Sequence, residues 1–277
     1  MISRLLPIAL AVAVQPALLH AQRLEPGTGY WYEGIVTHER GAATVASNEP
    51  RPLRQAVEAL AEEYGWTVDY EDPIYTVADG LERTEAGFVA SHPGIKQHLV
   101  AGHRFHSEYP EDTATRTSPA EEKAVLQKVI ADYNKSANPG KFRLLDEGGG
   151  RFAVVGAVRG STAAQTAILD SPITVDVKET NGSWAMSKIC DGLTAASGAK
   201  FQLAQYPLNV LVRTQVSLHT ENESARDVLR AVLARAPQKL MWSVLYDIDD
   251  EAYYLNLIPV VEAGIAPTGE RTRKWAH

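Results

Sequence analysis

Two stretches of this chain carry one instruction, a short amphipathic helix that passes through a turn into a short strand, and this grammar constrains the fold most. In RPLRQAVEALAEEYGWTVDY, Arg51 to Tyr70, Pro52 suits a first helical turn because its missing N–H needs no partner there. Leu53, Val57, Leu60 and Tyr64 follow at helical spacing and lay an apolar stripe along one face. Gly65 marks the helix end. WTVDY then alternates Trp66, Val68 and Tyr70 against Thr67 and Asp69, the pattern of a half-buried strand. SARDVLRAVLARAPQKLMWSVLYD, Ser224 to Asp247, follows the same grammar and sets Trp242, like Trp66, near the start of a strand after a helix. Core packing is the expected role of both indoles.

Between these stretches the best-marked helix begins at SPAE. Ser118 is its N-cap, Pro119 its first residue and Glu121 the capping-box partner, and Leu126, Val129, Ile130 and Tyr133 form its apolar face. NPG, Asn138 to Gly140, stops it. KFRLLDEGGGRFAVVGAV then reads as two strands, Lys141 to Leu145 and Arg151 to Val158, around a glycine turn. After GSTAAQTAILDSP the order restarts with ITVDVKE as a strand and a helix over about Ser183 to Ser197, ended by Gly198. KFQLAQY and VLVRTQVSLHT read as strands, a helix begins at Ser224 with Asp227 in the capping-box position, and LMWSVLYD with AYYLNLIPV closes a hairpin.

The fold class expected is therefore α+β: two related small modules of order β-α-β-β-α-β-β, each with two helices packed on a short sheet, the alternative being one continuous α+β domain whose halves are alike by chance. The first module spans 22–159, with an aromatic N-terminal segment and an insertion at 71–102. A linker follows at 160–171, the second module at 172–262 and a polar tail at 263–277. As a duplication, the opening stretch pairs with SWAMSKICDGLTAASGAKFQLAQY and not with the stretch from Ser224.

Residues 1–21 have the layout of a cleaved secretory signal: Arg4, an apolar run from Leu5 to Val14, and the small Ala21. That run is half the ~20 residues a membrane span needs, and Pro7 and Pro16 interrupt it. The expectation is a soluble protein exported to the periplasm or beyond, with no transmembrane segment after cleavage. Losing Arg4 makes the formal charge, −7 for the whole chain, one unit more negative. No basic block offers a footprint for a phosphate backbone, so nucleic acid is not an expected partner. Cys190 is the single cysteine, so no internal disulfide can form. It falls in a helical pattern with Met186, Ile189 and Leu193, as a buried thiol would.

The runs LRQAVEALAEEYGWTVDYE and VSLHTENESARDVLRAVLARAPQKLMWSVLYDIDDEAYYLNL resemble the opening and closing halves of the secretin and TonB short N-terminal domain. The resemblance covers about two thirds of the residues after Ala21, as a divergent tandem, and rests on apolar pattern and helix starts. It implies a small α+β periplasmic module that docks other proteins or packs against copies of itself. Such modules normally precede a pore or barrel, whereas the residues after Pro259 read as a short polar tail.

Few constellations suggest chemistry. HPGIKQHLVAGHRFH brings His92, His98, His103 and His106 into fifteen residues with Glu108 close behind. His98, His103 and His106 are the candidate ligands for zinc or copper, and His106 and Glu108 share a face if their segment is extended. The competing reading is a polar insertion loop with solvated histidines. No strand-turn-helix G-x-S-x-G setting presents a nucleophile. Glu62 with Glu63, and Asp249 to Glu251, fit a solvated helix end and a turn, and Gly148 to Gly150 leads into a strand, without the helix N-terminus that holds phosphate. Tyr30, Trp31 and Tyr32 are the candidate partner-binding residues, with an added sheet strand as the alternative. The function expected is a non-enzymatic interaction or assembly module without a cofactor, engaging a cell-envelope protein or itself. The alternative is an exported metal-binding protein or hydrolase built on the histidine-bearing insertion.

Overall fold

The computed structural model describes residues 34–39, 41–48, 51–75, 103–110, 118–157, 167–248, 250–265 and 271–275. It is mixed α and β, as expected. The first half runs β1 (Ile35–Glu39), β2 (Ala42–Ser47), α1 (Pro52–Tyr64), β3 (Thr67–Glu71), β4 (Phe105–Pro110), α2 (Pro119–Lys135), β5 (Lys141–Gly148) and β6 (Arg151–Ala157). A single 3₁₀ turn (Ile168–Asp170) precedes β7 (Pro172–Asn181), α3 (Gly182–Ser197), β8 (Lys200–Leu203), α4 (Leu208–Arg213), β9 (Gln215–Ser224), α5 (Ala225–Leu233), β10 (Leu240–Asp247) and β11 (Ala252–Pro259). Strands β12 (Val261–Ile265) and β13 (Arg271–Trp275) close the chain. From β2 to β6 and from β7 to β11, the order is the same but for α4.

Local chemistry explains the matching ends. Gly65 and Gly198 end α1 and α3 with φ of 72° and 74°, a left-handed turn that costs glycine nothing. Ser118 and Ser224 cap α2 and α5, each accepting the N–H of the third residue on and standing 2.7 Å from the carboxylate of Glu121 or Asp227.

In each half the helices lie between an outer antiparallel sheet and a share of one central sheet. The outer sheets are β1-β2-β4 and β7-β9, and the six central strands run β5-β6-β3-β10-β11-β8. One core joins β2, β4, α1 and α2 to Val68, Tyr70, Phe142, Phe152 and Val154. The other joins β7, α3 and α5 to Trp242, Val244, Tyr253 and Leu255. Tyr70 lies opposite Ser243, so Trp242 and Val244 point to the other side of the sheet from Tyr70. The two cores thus occupy opposite faces.

Strand directions complete the relationship. β5 is antiparallel to β6 and β6 parallel to β3. Likewise β10 is antiparallel to β11 and β11 parallel to β8, while β3 and β10 run parallel. The second half therefore follows from the first by a half-turn about an axis across the strands plus a shift of three strands. Phe142 then corresponds to Trp242, Leu144 to Val244, Asp69 to Gln202, Tyr70 to Leu203 and Asp72 to Gln205.

Four expectations need correction. Trp242 corresponds to Phe142 and not to Trp66, because the strands after α2 and α5 match each other and the strand after α1 is a different one. Residues 210–213, expected to open a strand, belong instead to α4, since Pro207 starts a turn in which the Val210 and Leu211 N–H groups both donate to its carbonyl. The expected tail instead pairs as the antiparallel β12-β13 hairpin. Finally, β3 is not half-buried: all five of its residues are buried, because it is a central strand with cover on both faces.

Candidate functional site

The most heavily charged part of the interior is the seam where β3 meets β10. Backbone register covers only Tyr70 with Ser243 and Glu71 with Val244, and the Asp72 N–H donates to the Val244 carbonyl at 2.8 Å. On either side, carboxylates stand in for the missing strand. Asp69 Oδ1 accepts the Trp242 N–H at 2.7 Å, and Asp72 Oδ2 accepts that of Tyr246 at 2.9 Å.

Each carboxylate is gripped in turn. Arg51 donates from Nε to Asp72 Oδ2 and from Nη2 to the Tyr246 carbonyl, both at 2.6 Å, while the Tyr70 hydroxyl donates to Asp72 Oδ1 at 2.9 Å. Arg151 holds both oxygens of Asp69, reaches the Leu240 carbonyl at 3.2 Å and lies 4.5 Å over the Trp242 ring. From α5, Arg226 places Nη1 2.6 Å from Glu71 Oε1 and 3.2 Å from Glu147 Oε1, and donates from Nε to Asp170 at 2.9 Å. The contact with Glu71 is close but off hydrogen-bond alignment, so charge more than direction carries it.

Burial drives the electrostatics. It pushes the Asp69 carboxyl up to about 7, against Arg151 and the Trp242 N–H, which favour the charged form. Glu71 is raised for the same reason, opposed by Arg226. Perturbed carboxyls can mark acid–base sites, but these are closed in by guanidinium partners and strand backbone. What this arrangement can do is hold two strands in register. Sequence reasoning missed it by giving Asp69 a solvent face. The available signal was DYED, Asp69 to Asp72, three acidic residues where strands are normally poor in them.

Open surface lies beside the seam. A cleft of about 380 Å³ is lined by Arg51, Arg54, Gln205, Ser243, Tyr254 and Asn256, and an apolar one of about 280 Å³ by Trp66, Met241, Ile258 and Val260, with Glu58 and Glu62 at hand. Trp184 on α3 and Leu208 and Val212 on α4 are large apolar side chains left about half exposed. The sheet ends at β5 and β8, and no strand among the described residues pairs with either outer edge.

The sequence-predicted site residues fall elsewhere. His106 and Glu108 share the exposed face of β4, whose Phe105, Ser107 and Tyr109 point inward, and His103 is partly buried ahead of it. Among the described residues no group of three or more His, Cys, Asp or Glu could hold a metal ion. His98, Tyr30, Trp31 and Tyr32 lie outside the described residues. Cys190 is buried within α3, and that burial, with Asp191 beside it, pushes its thiol up to about 12. No helix among the described residues is long and apolar enough to cross a membrane. No protein-family model, curated protein or solved structure matches the chain.

Proposed function

We propose that this chain is an exported cell-envelope protein that works by binding protein, as a non-enzymatic interaction or assembly module. The observation that carries this reading is the seam: two halves of one element order joined edge to edge, strand to strand, with buried carboxylates aligned on backbone amides. A fold unit that recognises a strand edge within its own chain has the chemistry for binding another strand, since main-chain hydrogen bonds give affinity and alternate side chains give specificity. The resemblance of residues 53–71 and 216–257 to the secretin and TonB short N-terminal domain supports the same role, and the secretory layout of residues 1–21 supports the periplasm or exterior as its compartment.

The test is capture. Immobilised and exposed to an envelope extract of its source, the protein should retain a defined set of proteins that substitution of Trp184 by Ala or Leu203 by Pro diminishes. Recovery no better than from bare beads, together with a strictly monomeric scattering profile, would sink the reading.

A further inference from the structure

The operation that relates the two halves does not close on itself. A half-turn combined with a shift uses different edges on its two sides, β3 on one half and β10 on the other, so it leaves their counterparts, β8 and β5, at the two ends of the sheet. These ends are complementary in the sense in which β3 and β10 are.

The backbone is consistent with this. The Phe142 N–H and carbonyl are taken by the Asn134 side chain, and the Phe201 N–H by Thr194, so these residues direct their polar groups away from the sheet. The alternation of a strand then turns the backbone N–H and carbonyl of Leu144 and Leu203 outward as well, while their side chains pack on the two cores. Among the described residues neither has a hydrogen-bond partner on that side. The counterparts of this pair, Val244 and Tyr70, lie at the stretch of the seam joined by backbone. The counterpart of the plugged Phe142 is Trp242, whose N–H meets a carboxylate and not a strand. The plugs thus leave open the Leu144 N–H and the Leu203 carbonyl, the counterparts of Val244 and Tyr70, whereas the Gln205 N–H, counterpart of that of Asp72, is held by the Asn256 side chain at 3.0 Å.

A second observation comes from α3. Counted back from the C-cap glycines, Trp184 falls where Arg51 stands ahead of α1. Arg51 reaches over the seam to the Tyr246 carbonyl, whereas Trp184 is 55% exposed.

We propose that a second copy of this chain is the partner: the β8 edge of one molecule pairs in parallel with the β5 edge of the next, repeating the seam. Leu203 lies opposite Arg143 and Ala204 opposite Leu144, as Tyr70 does Ser243 and Glu71 does Val244. Trp184 covers the strand near Asp146. Because Gln202 and Gln205 replace Asp69 and Asp72, the joint between copies lacks the buried ion pairs of the seam. It is therefore the weaker of the two, reversible and concentration-dependent, and it grows head to tail as an open chain. The inference rests on the protein-binding reading and narrows it to one partner and two edges.

The test uses the chain without its first 21 residues and two single variants, Leu144→Pro and Leu203→Pro, each of which removes the outward N–H of one edge and sets a proline ring in its place. Wild type should sediment as a concentration-dependent ladder and each variant alone as a monomer. An equimolar mixture should form dimers and stop there, because one variant keeps β8 and the other keeps β5. Monomeric wild type, variants that still assemble, or a mixture that stays monomeric would each overturn the inference. Should a variant fail to fold, amide exchange on wild type decides: Leu144 and Leu203 should gain protection as concentration rises, and unchanged exchange there overturns the inference. Monomeric wild type alongside specific capture from envelope extract removes self-assembly and leaves the broader reading standing.

Discussion

Arg151 grips Asp69 with two parallel hydrogen bonds, Nε to Oδ2 at 2.7 Å and Nη2 to Oδ1 at 2.9 Å, while Asp69 Oδ1 also accepts the Trp242 N–H. One residue comes from β6, one from β3 and one from β10, so the pair ties both halves at one point. Arg151→Met leaves a buried carboxylate without its cation and should cost about 3–5 kcal/mol in urea unfolding. Arg151→Lys should recover little, because an ammonium cannot reproduce the bidentate fork. Adding Asp69→Asn to Arg151→Met should restore much of the loss, since the amide still accepts the Trp242 N–H. A double variant no better than Arg151→Met would mean that the pair does not act as a unit.

Gly156 in β6 leaves no room for a side chain: a Cβ there would stand 2.3 Å from the Pro73 backbone nitrogen, just beyond β3. The obstacle is backbone, which cannot rotate aside. Gly156→Ala should therefore displace the chain after Asp72 and lower stability by about 1–3 kcal/mol or more. Gly148→Ala, which meets no atom within 4 Å and carries only the strain of its φ of 81°, should cost less. Equal melting-temperature losses for the two variants would contradict this.

Glu122 on α2 is 6% exposed, its Oε1 has no hydrogen-bond partner, and burial pushes its carboxyl up to about 8 against the attraction of Lys239. The folded state therefore holds this proton more tightly than the unfolded chain. The stability it contributes is complete below about pH 4.5 and is lost as pH rises toward about 8. Glu122→Gln, neutral throughout, should match wild type near the acid end of that window and exceed it at the alkaline end. Urea midpoints across this range would show it, and parallel curves for the two proteins would count against it.

The Cys190 thiol, buried and raised to about 12, should resist iodoacetamide at neutral pH in the folded protein and react fully in urea. Rapid labelling of the native state would place the thiol at an open surface instead.

Helix ends were the most legible part of the chain, because Ser118 with Glu121, Ser224 with Asp227, and Gly65 and Gly198 all act through contacts a few residues away. The apolar stripe of α1 was legible for the same local reason, and Leu53, Val57 and Leu60 are fully buried. The seam was not. Whether Asp69 faces water or the Trp242 N–H depends on β10 lying beside β3, a pairing between residues more than 170 apart in the chain. Alternation in WTVDY says only that two faces exist, not that both are covered. The mismatch of Trp66 with Trp242 had the same origin, since both follow helices and only sheet order tells their strands apart.

The most direct test of the account is sedimentation equilibrium of the wild-type protein, without its first 21 residues, from the low- to the high-micromolar range. If β8 and β5 meet between copies as β3 and β10 meet within one, the weight-average mass should climb steadily with concentration and fall back on dilution. A mass fixed at that of one chain across the whole range would contradict it.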